Sequence, residues 1–243
     1  MTRRCNAQAP SKIGHVLVVV PAHNERENIS SAIDHITRAC GLLPSRVSSS
    51  IVVVADACTD GTKAIALATA AVDHVAVITA QCVGTARRIG TEVGLASAPG
   101  RLADIWVAST DADSHVPADW LVSQVTLADS GAVGVAGIVQ LRHDERFDEA
   151  LDRRFASTYR LGKDGSHGHV HGANIAFRAD AYRAVGGWRD LTSGEDHDLW
   201  GRLGTWGPLL SSTAIKVRTS VRRRGRAPRG FAHDLASLDG IVA

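Results

Sequence analysis

Asp111-Ala112-Asp113 places two carboxylates two residues apart, just after the apolar run Ile105-Trp106-Val107-Ala108. Carboxylates at i and i+2 at a strand end can point the same way. Together they offer a hard oxygen site for Mg²⁺ or Mn²⁺, ions that take few protein ligands and keep other positions for water and phosphate. A diphosphate leaving group builds negative charge that such an ion neutralises. The plain alternative is a polar turn ahead of a helix. A second acidic turn is Ala55-Asp56-Ala57-Cys58-Thr59-Asp60-Gly61-Thr62. There Asp56 can accept hydrogen bonds from a nucleobase N–H or a ribose hydroxyl, as an acidic residue does in dinucleotide folds. Asp60 is placed to cap the helix that follows. A third is Glu195-Asp196-His197-Asp198, at a helix start after Gly194. The helix dipole alone favours acidic residues there. A carboxylate in a cleft can equally serve as a general base for an attacking hydroxyl.

Positioning these groups requires strands that end at the turns. Short β-branched runs, Val16–Val20, Ile51–Ala55, Val75–Thr79, Ile105–Ser109 and Val133–Val139, alternate with longer amphipathic stretches. Such alternation predicts βαβ units and a mostly parallel sheet. Ile29, Ala32, Ile33, Ile36 and Cys40 fall on one face of the first helix. Asn24 is expected to cap it, with Glu27 three residues on completing a capping box. Pro117 is expected at position N1 of a later helix. In open parallel sheets, ligands bind outside the carboxyl ends of the strands, which would gather the polar turns into one site. From about Leu141 the character changes. Arg146–Leu161 reads as a charged helix, and His167–Arg178 as a Gly/His-rich loop entering a strand. Ala179–Val185 and Glu195–Leu203 read as helices, and the alternation of Ile215, Val217, Thr219 and Val221 as a half-exposed strand.

The 243 residues suit one large domain, and 44% hydrophobic with 21% charged residues is an ordinary globular balance. A formal charge of +2 makes no demand for nucleic acid, and no such partner is expected. Cys5, Cys40, Cys58 and Cys82 form no CxxC pair and no zinc-finger spacing. No apolar run spans a bilayer, and no apolar segment follows the N-terminal arginines. A cytoplasmic location with reduced thiols is the expectation.

Taken in order, these segments resemble glycosyltransferase family 2, whose members have the GT-A fold. VLVVVPAHNERENI resembles that family's first strand and turn, and IVVVADACTDGT its second. VGTARRIGTEVGL is similar to the stretch that brings a basic residue to the diphosphate, and STDADSHVPADWL to the DxD segment. HGANIAFRADAYRAVGGW and SGEDHDLWGRL resemble acceptor-side segments, the latter with an ED motif. The similarity runs over about residues 16–203. It implies a Rossmann-like, mostly parallel sheet flanked by helices, with a smaller acceptor-side region. Residues 1–14 would be an arm, 15–140 the nucleotide-sugar-binding half, and 141–243 the acceptor-side half with its basic C-terminal segment.

The resemblance also implies roles. Pro21, Ala22, His23 and Glu25 would line the nucleotide pocket, and Asp56 would contact the base. Arg87 or Arg88 would face the diphosphate. Asp111, with Ala112 beside it, would hold ribose or metal, and Asp113 the metal, Mn²⁺ or Mg²⁺. Asn174 would lie near sugar or acceptor, and Asp196 would be the base, with Glu195 positioning the acceptor or the helix. The donor would be UDP- or GDP-linked, and the acceptor a small molecule, glycan or lipid. Ala55 and Ala57-Cys58 depart from the usual DDGS pattern, which bears on base preference. The chain has neither transmembrane helices nor the QxxRW motif of processive members, so transfer of one sugar is expected. Inversion follows if Asp196 is the base; a retaining enzyme and an inactive nucleotide-sugar-binding protein are the alternatives. PAHNERE has no glycine, which argues against a nucleotidyltransferase phosphate loop and a dinucleotide-binding GxGxxG turn.

His167, His169 and His171 invite either substrate contact or solvation, and His197 and His233 are candidates for an additional metal ligand. Lys216, Arg218, Arg222, Arg223, Arg224, Arg226 and Arg229 form a basic stretch. It reads as a lid over the diphosphate, as a patch for anionic lipid headgroups at a membrane surface, or as a solvated tail.

Overall fold

The computed structural model describes residues 12–142 and 148–222. The first strand, β1 (His15–Ala22), is buried along nearly its whole length, the signature of a strand covered on both faces. It leads to α1 (Ile29–Gly41), β2 (Ser48–Asp56), α2 (Thr62–Ala68), β3 (His74–Ile78), α3 (Val83–Ser97) and β4 (Ile105–Ser109). Then come α4 (Trp120–Asp129), β5 (Gly134–Leu141), α5 (Glu149–Thr158), β6 (Ile175–Arg178), α6 (Ala179–Ala184), α7 (Glu195–Leu203) and β7 (Leu209–Thr219). The strands form one sheet in the order β3-β2-β1-β4-β6-β5-β7. Only β6 runs against its neighbours, pairing antiparallel with both β4 and β5. The mostly parallel sheet expected from the alternation is present, and strands from both halves of the chain build it.

The period of two along the strands sorts the core into two layers. Val16, Val18, Val20, Ile51 and Val53 face α1 and α4, packing with Ile29, Ile33, Ile36, Trp120 and Leu121. Leu17, Val19, Val52, Val54, Ile105 and Val107 face the opposite way, towards Ala86 of α3, Tyr182 of α6 and Leu199 and Leu203 of α7. Helix α3 lies close against the sheet because of its glycines. A Cβ on Gly90 would come within 2.6 Å of Val19 Cγ1, and one on Gly94 within 2.3 Å of Leu17 Cδ1.

Several expected boundaries move. Asn24 is not the cap of α1: the helix begins at Ile29 after Asn28, and Asn24 sits in the left-handed region with φ 55°. Its side chain is drawn into the second turn instead. Pro117 lies ahead of α4 rather than at N1, its carbonyl accepting from Trp120 N–H at 3.1 Å before the helix starts. Helix α5 is shorter than the charged run, opening where the Asp148 carboxylate accepts Ala150 and Leu151 N–H; Arg146 lies outside the described residues. Strand β7 begins earlier than the alternation, at Leu209, and a register shift against β5 between Gly137 and Ile138 separates its serine-rich start from the alternating part. In that part Ile215, Val217 and Thr219 are buried while Lys216 and Arg218 are exposed. Arg223, Arg224, Arg226, Arg229 and His233 lie outside the described residues.

Candidate active site

The first two turns are stitched together by polar side chains. With its left-handed backbone, Asn24 points Oδ1 at the second turn, accepting Thr59 N–H at 2.8 Å and Asp60 N–H at 3.3 Å. His23 Nδ1 lies 2.6 Å from the Asp56 carbonyl, and Glu25 N–H donates to Thr62 Oγ1 at 2.7 Å. Asp60 lies one residue ahead of the α2 N-cap, Gly61, and its Oδ1 accepts the first helical N–H, that of Thr62, at 2.9 Å. Asp56, at the last position of β2, is buried, and its carboxylate spans two backbone donors of the β3–α3 loop. Oδ1 accepts Gln81 N–H at 2.9 Å and Oδ2 accepts Cys82 N–H at 3.0 Å. Its environment therefore shapes that loop, while each oxygen keeps further acceptor capacity.

Beyond these turns lies a cavity of about 570 Å³ at the carboxyl ends of β1, β2 and β4. Among the described residues lining it are Pro21, Ala22, His23 and Glu25 from the first turn, Asp56 from the second, and Asp111, Ala112 and Asp113 from the third. Glu195 and Asp196 close it from α7. The acidic turns that the sequence singled out thus share one space.

Two arginines organise its charge. Arg87, on α3, is 3% exposed and ion-paired through Nη1 to Glu195. Its Nη2 lies 2.6 Å from Asp111 Oδ1, and Nε donates to Ser109 Oγ at 3.1 Å. The Trp188 ring lies 5.6 Å below the guanidinium. Burial works against the Arg87 charge, but Glu195, Asp111 and Asp196 together hold its pKa above the ordinary value. Burial likewise pushes the Glu195 carboxyl up, against the pull of Arg87. Gly172 is required beside this pair, since a Cβ there would come within 2.3 Å of Arg87 Nη2. Arg222, just past β7, reaches in from the opposite wall. It pairs with Glu25 Oε1 at 2.6 Å and Asp113 Oδ2 at 2.9 Å. Burial pushes the Asp113 carboxyl up to about 6; Arg222 pulls it back, and Asp111 and Glu25 add to the rise.

Asp196 is half-buried at the first turn of α7. Its Oδ2 accepts Gly172 N–H and its Oδ1 accepts His197 N–H, both at 2.8 Å. A wall of rings stands next to it. Tyr159 donates towards, or accepts from, His171 Nε2 at 2.9 Å, and its ring lies 4.5 Å from that of His169. Burial drives the His171 pKa down to about 4, although Asp196 favours its charged form. His169, His171 and His197 line the cavity; His167 is buried and packs edge-on to Tyr159 at 6.1 Å.

A model of the glycosyltransferase-like family 2 matches residues 14–207. The chain belongs to that family. No curated protein matches it. Among solved structures, S. aureus TarS in complex with UDP-GlcNAc is similar at a TM-score of 0.65 and 14% identity, covering 92% of this chain and 64% of that one. The mannosyltransferase PcManGT from Pyrobaculum calidifontis, in complex with GDP-Man and Mn²⁺, is similar at 0.63 and 22% identity, covering 89% and 60%. The chain therefore spans less than two thirds of either neighbour's length. At these identities the likeness carries the fold, and the fold is the GT-A arrangement expected from the motifs. No helix among the described residues is long and apolar enough to cross a membrane.

Within this family 2 chain, two expected site residues lie elsewhere. Arg88 turns outward to Asp190, 2.9 Å from Nε, and to Glu92, so Arg87 is the arginine at the cavity. The Asn174 side chain points into the core rather than at the cavity. Its Oδ1 accepts Trp120 Nε1–H at 2.9 Å, and Nδ2 donates to the Ile138 and Ile215 carbonyls at 2.8 and 3.0 Å, tying β5 to β7. Sequence reasoning missed the backbone of Gln81 and Cys82, which carries no residue signature, and the ring of Tyr159. It read Arg222 only as part of a basic stretch, whether a lid over the diphosphate, a lipid patch or a solvated tail, and did not foresee its pairing with Glu25 and Asp113.

Proposed function

We propose that this chain is a metal-dependent glycosyltransferase, moving one sugar from a UDP- or GDP-linked donor to the hydroxyl of a small-molecule, glycan or lipid acceptor with inversion. The observation that carries this reading is the convergence of Asp56, Asp111, Asp113 and Asp196 on one cavity at the strand ends. Residues 15–140 would hold the donor and 141–243 the acceptor. Asp56 and His23 face the base side, and the Asp111-Ala112-Asp113 turn faces the diphosphate side.

Asp111 and Asp113 fit Mg²⁺ or Mn²⁺: they are hard oxygen donors next to one another, and each already holds a guanidinium, so the place stabilises positive charge. Among the described residues no group of three or more His, Cys, Asp and Glu side chains is arranged for a metal, so an ion here would need water and phosphate oxygens to complete its shell. When bound, such an ion neutralises the charge developing on the diphosphate leaving group. Arg87 locks Glu195, leaving Asp196 to take the proton of the acceptor hydroxyl. The Gly172 and His197 N–H groups fix the Asp196 carboxylate for that task, and the low-pKa His171 beside it stays neutral at pH 7. Direct attack on the anomeric carbon inverts its configuration.

Support for the donor class comes from the two neighbours crystallised with UDP-GlcNAc and GDP-Man. Calorimetry of UDP and GDP with Mn²⁺ tests the reading. Binding should require the ion and should weaken strongly in Asp113→Ala at unchanged fold. Equal affinity in that variant, or product of retained configuration by NMR, would overturn the metal or the inverting assignment respectively.

A further inference from the structure

Arg222 enters a part of the cavity crowded with negative charge. Six carboxylates, those of Glu25, Asp56, Asp111, Asp113, Glu195 and Asp196, line it among the described residues, against the guanidiniums of Arg87 and Arg222. Arg87 is committed to Asp111 and Glu195. Asp56 and Asp196 are met by backbone N–H groups, which leaves Asp113 and Glu25, 8% and 4% exposed, to be balanced by Arg222. Asp113 Oδ1 is taken as well, by Thr219 Oγ1–H at 3.3 Å.

We propose that Arg222 holds the place of the divalent cation in the donor-free site, and that cation binding and withdrawal of the Arg222 side chain are one coupled event. This rests on the metal reading above. The reason is electrostatic. An Mg²⁺–oxygen bond is about 2.0–2.1 Å, while a guanidinium nitrogen already sits 2.9 Å from Asp113 Oδ2. A dication on that oxygen would stand within a few ångströms of the guanidinium, and the two like charges repel where little water screens them. Removing Arg222 without the ion would leave Asp113 and Glu25 buried and mutually repelling, so the exchange keeps the charge balanced throughout. Arg222 is also the less buried of the two arginines, at 23% side-chain exposure against 3% for Arg87, so solvent can receive its guanidinium. Coupling is reciprocal: whatever holds Arg222 on Asp113 weakens the ion, and the ion weakens that pair by the same factor. The displaced guanidinium would stand at the cavity wall, ready to meet the phosphate oxygens of an arriving donor.

The test is calorimetric titration with Mn²⁺ alone, on the full chain, with wild type, Arg222→Ala, Arg222→Lys and Asp113→Asn. Thermal melts would confirm folding. Arg222→Ala should bind Mn²⁺ roughly tenfold more tightly than wild type, a difference of about 1.4 kcal/mol. Arg222→Lys should fall between them, because an ammonium cannot span both carboxylates as the fork does. Asp113→Asn should lose the binding. If Arg222→Ala binds Mn²⁺ as wild type does, or more weakly, the coupling is wrong while the metal reading stands. If none of the variants nor wild type takes up Mn²⁺, with or without UDP or GDP, the metal reading itself falls and this inference with it.

Discussion

Arg87 rises from α3 into the core and Arg222 reaches in from the end of β7, and each guanidinium spans two carboxylates contributed by distant turns. Their surroundings differ. Arg87 is held by a serine hydroxyl, lies over an indole ring, and fills the space beside Gly172 that any larger residue would take. Arg222 has its two carboxylates and an open side. A buried charge held through all three guanidinium nitrogens belongs to the fold, because removing one partner strands the others in low dielectric. A partly exposed charge can be exchanged for another cation, because solvent can receive it while the incoming cation keeps the buried carboxylates balanced. The Arg87 clamp joins the DxD turn to α7, next to Asp196, and in the proposed mechanism would set the distance between donor and base. The Arg222 clamp covers the carboxylates that an ion would use.

The largest effect should appear beside the Arg87 clamp. Asp196→Asn should lower kcat by about 10²–10⁴-fold, with donor affinity in calorimetry little altered. Near-normal turnover would leave the clamp holding a helix rather than a base. Next, Arg87→Met should destabilise the chain by about 3–5 kcal/mol in urea unfolding, because Glu195 and Asp111 lose their counter-charge. A cost no larger than that of Arg222→Met would erase the contrast with Arg222.

The third prediction concerns pH. Asp113 has its pKa raised from 3.8 to about 6 in the folded chain. Between those values the folded state binds more protons than the unfolded state, so stability falls as pH rises through that window. The total cannot exceed about 3 kcal/mol. Denaturation between pH 4 and 7 should show this slope in wild type and lose it in Asp113→Asn. In Arg222→Met the window should move upward, since Arg222 pulls the Asp113 value down. A slope unaltered in both variants would assign the titration to another group. Arg222→Met itself should cost about 1–3 kcal/mol near neutral pH, measured in the same way, since Asp113 and Glu25 stay buried but Asp113 can take up a proton. Smallest of all, Arg88→Ala should change stability by less than about 0.5 kcal/mol and leave nucleotide binding alone. A lost nucleotide affinity there would return Arg88 to the site.

The parts of the site that were legible are those fixed by position along a strand. Asp56, Asp111 and Asp113 come just where apolar runs stop, and parallel strands bring such stops to one edge. Asp196 was legible from its place at a helix start, and α7 has the bounds expected from its pattern. Asn24 shows the limit. Its residue type suits a helix cap, but a competing set of N–H donors in the second turn claims its side chain. Asn174 and Arg88 show it again. Polar type and a motif position suggested the cavity, while packing turned one inward to the β5 and β7 carbonyls and the other outward to Asp190.

By itself the sequence determined the alternation of strands and helices, the two-sided burial of the sheet and the edge at which the acidic turns gather. These depend on periodicity within a segment, which is a local property. Which carboxylate faces which cation was decided only in three dimensions. Arg87 and Glu195 are 108 residues apart, and Arg222 meets Glu25 and Asp113 from the far end of the sheet. A charge in sequence has no partner until folding removes water around it and leaves the nearest opposite charge as its cheapest remaining solvent.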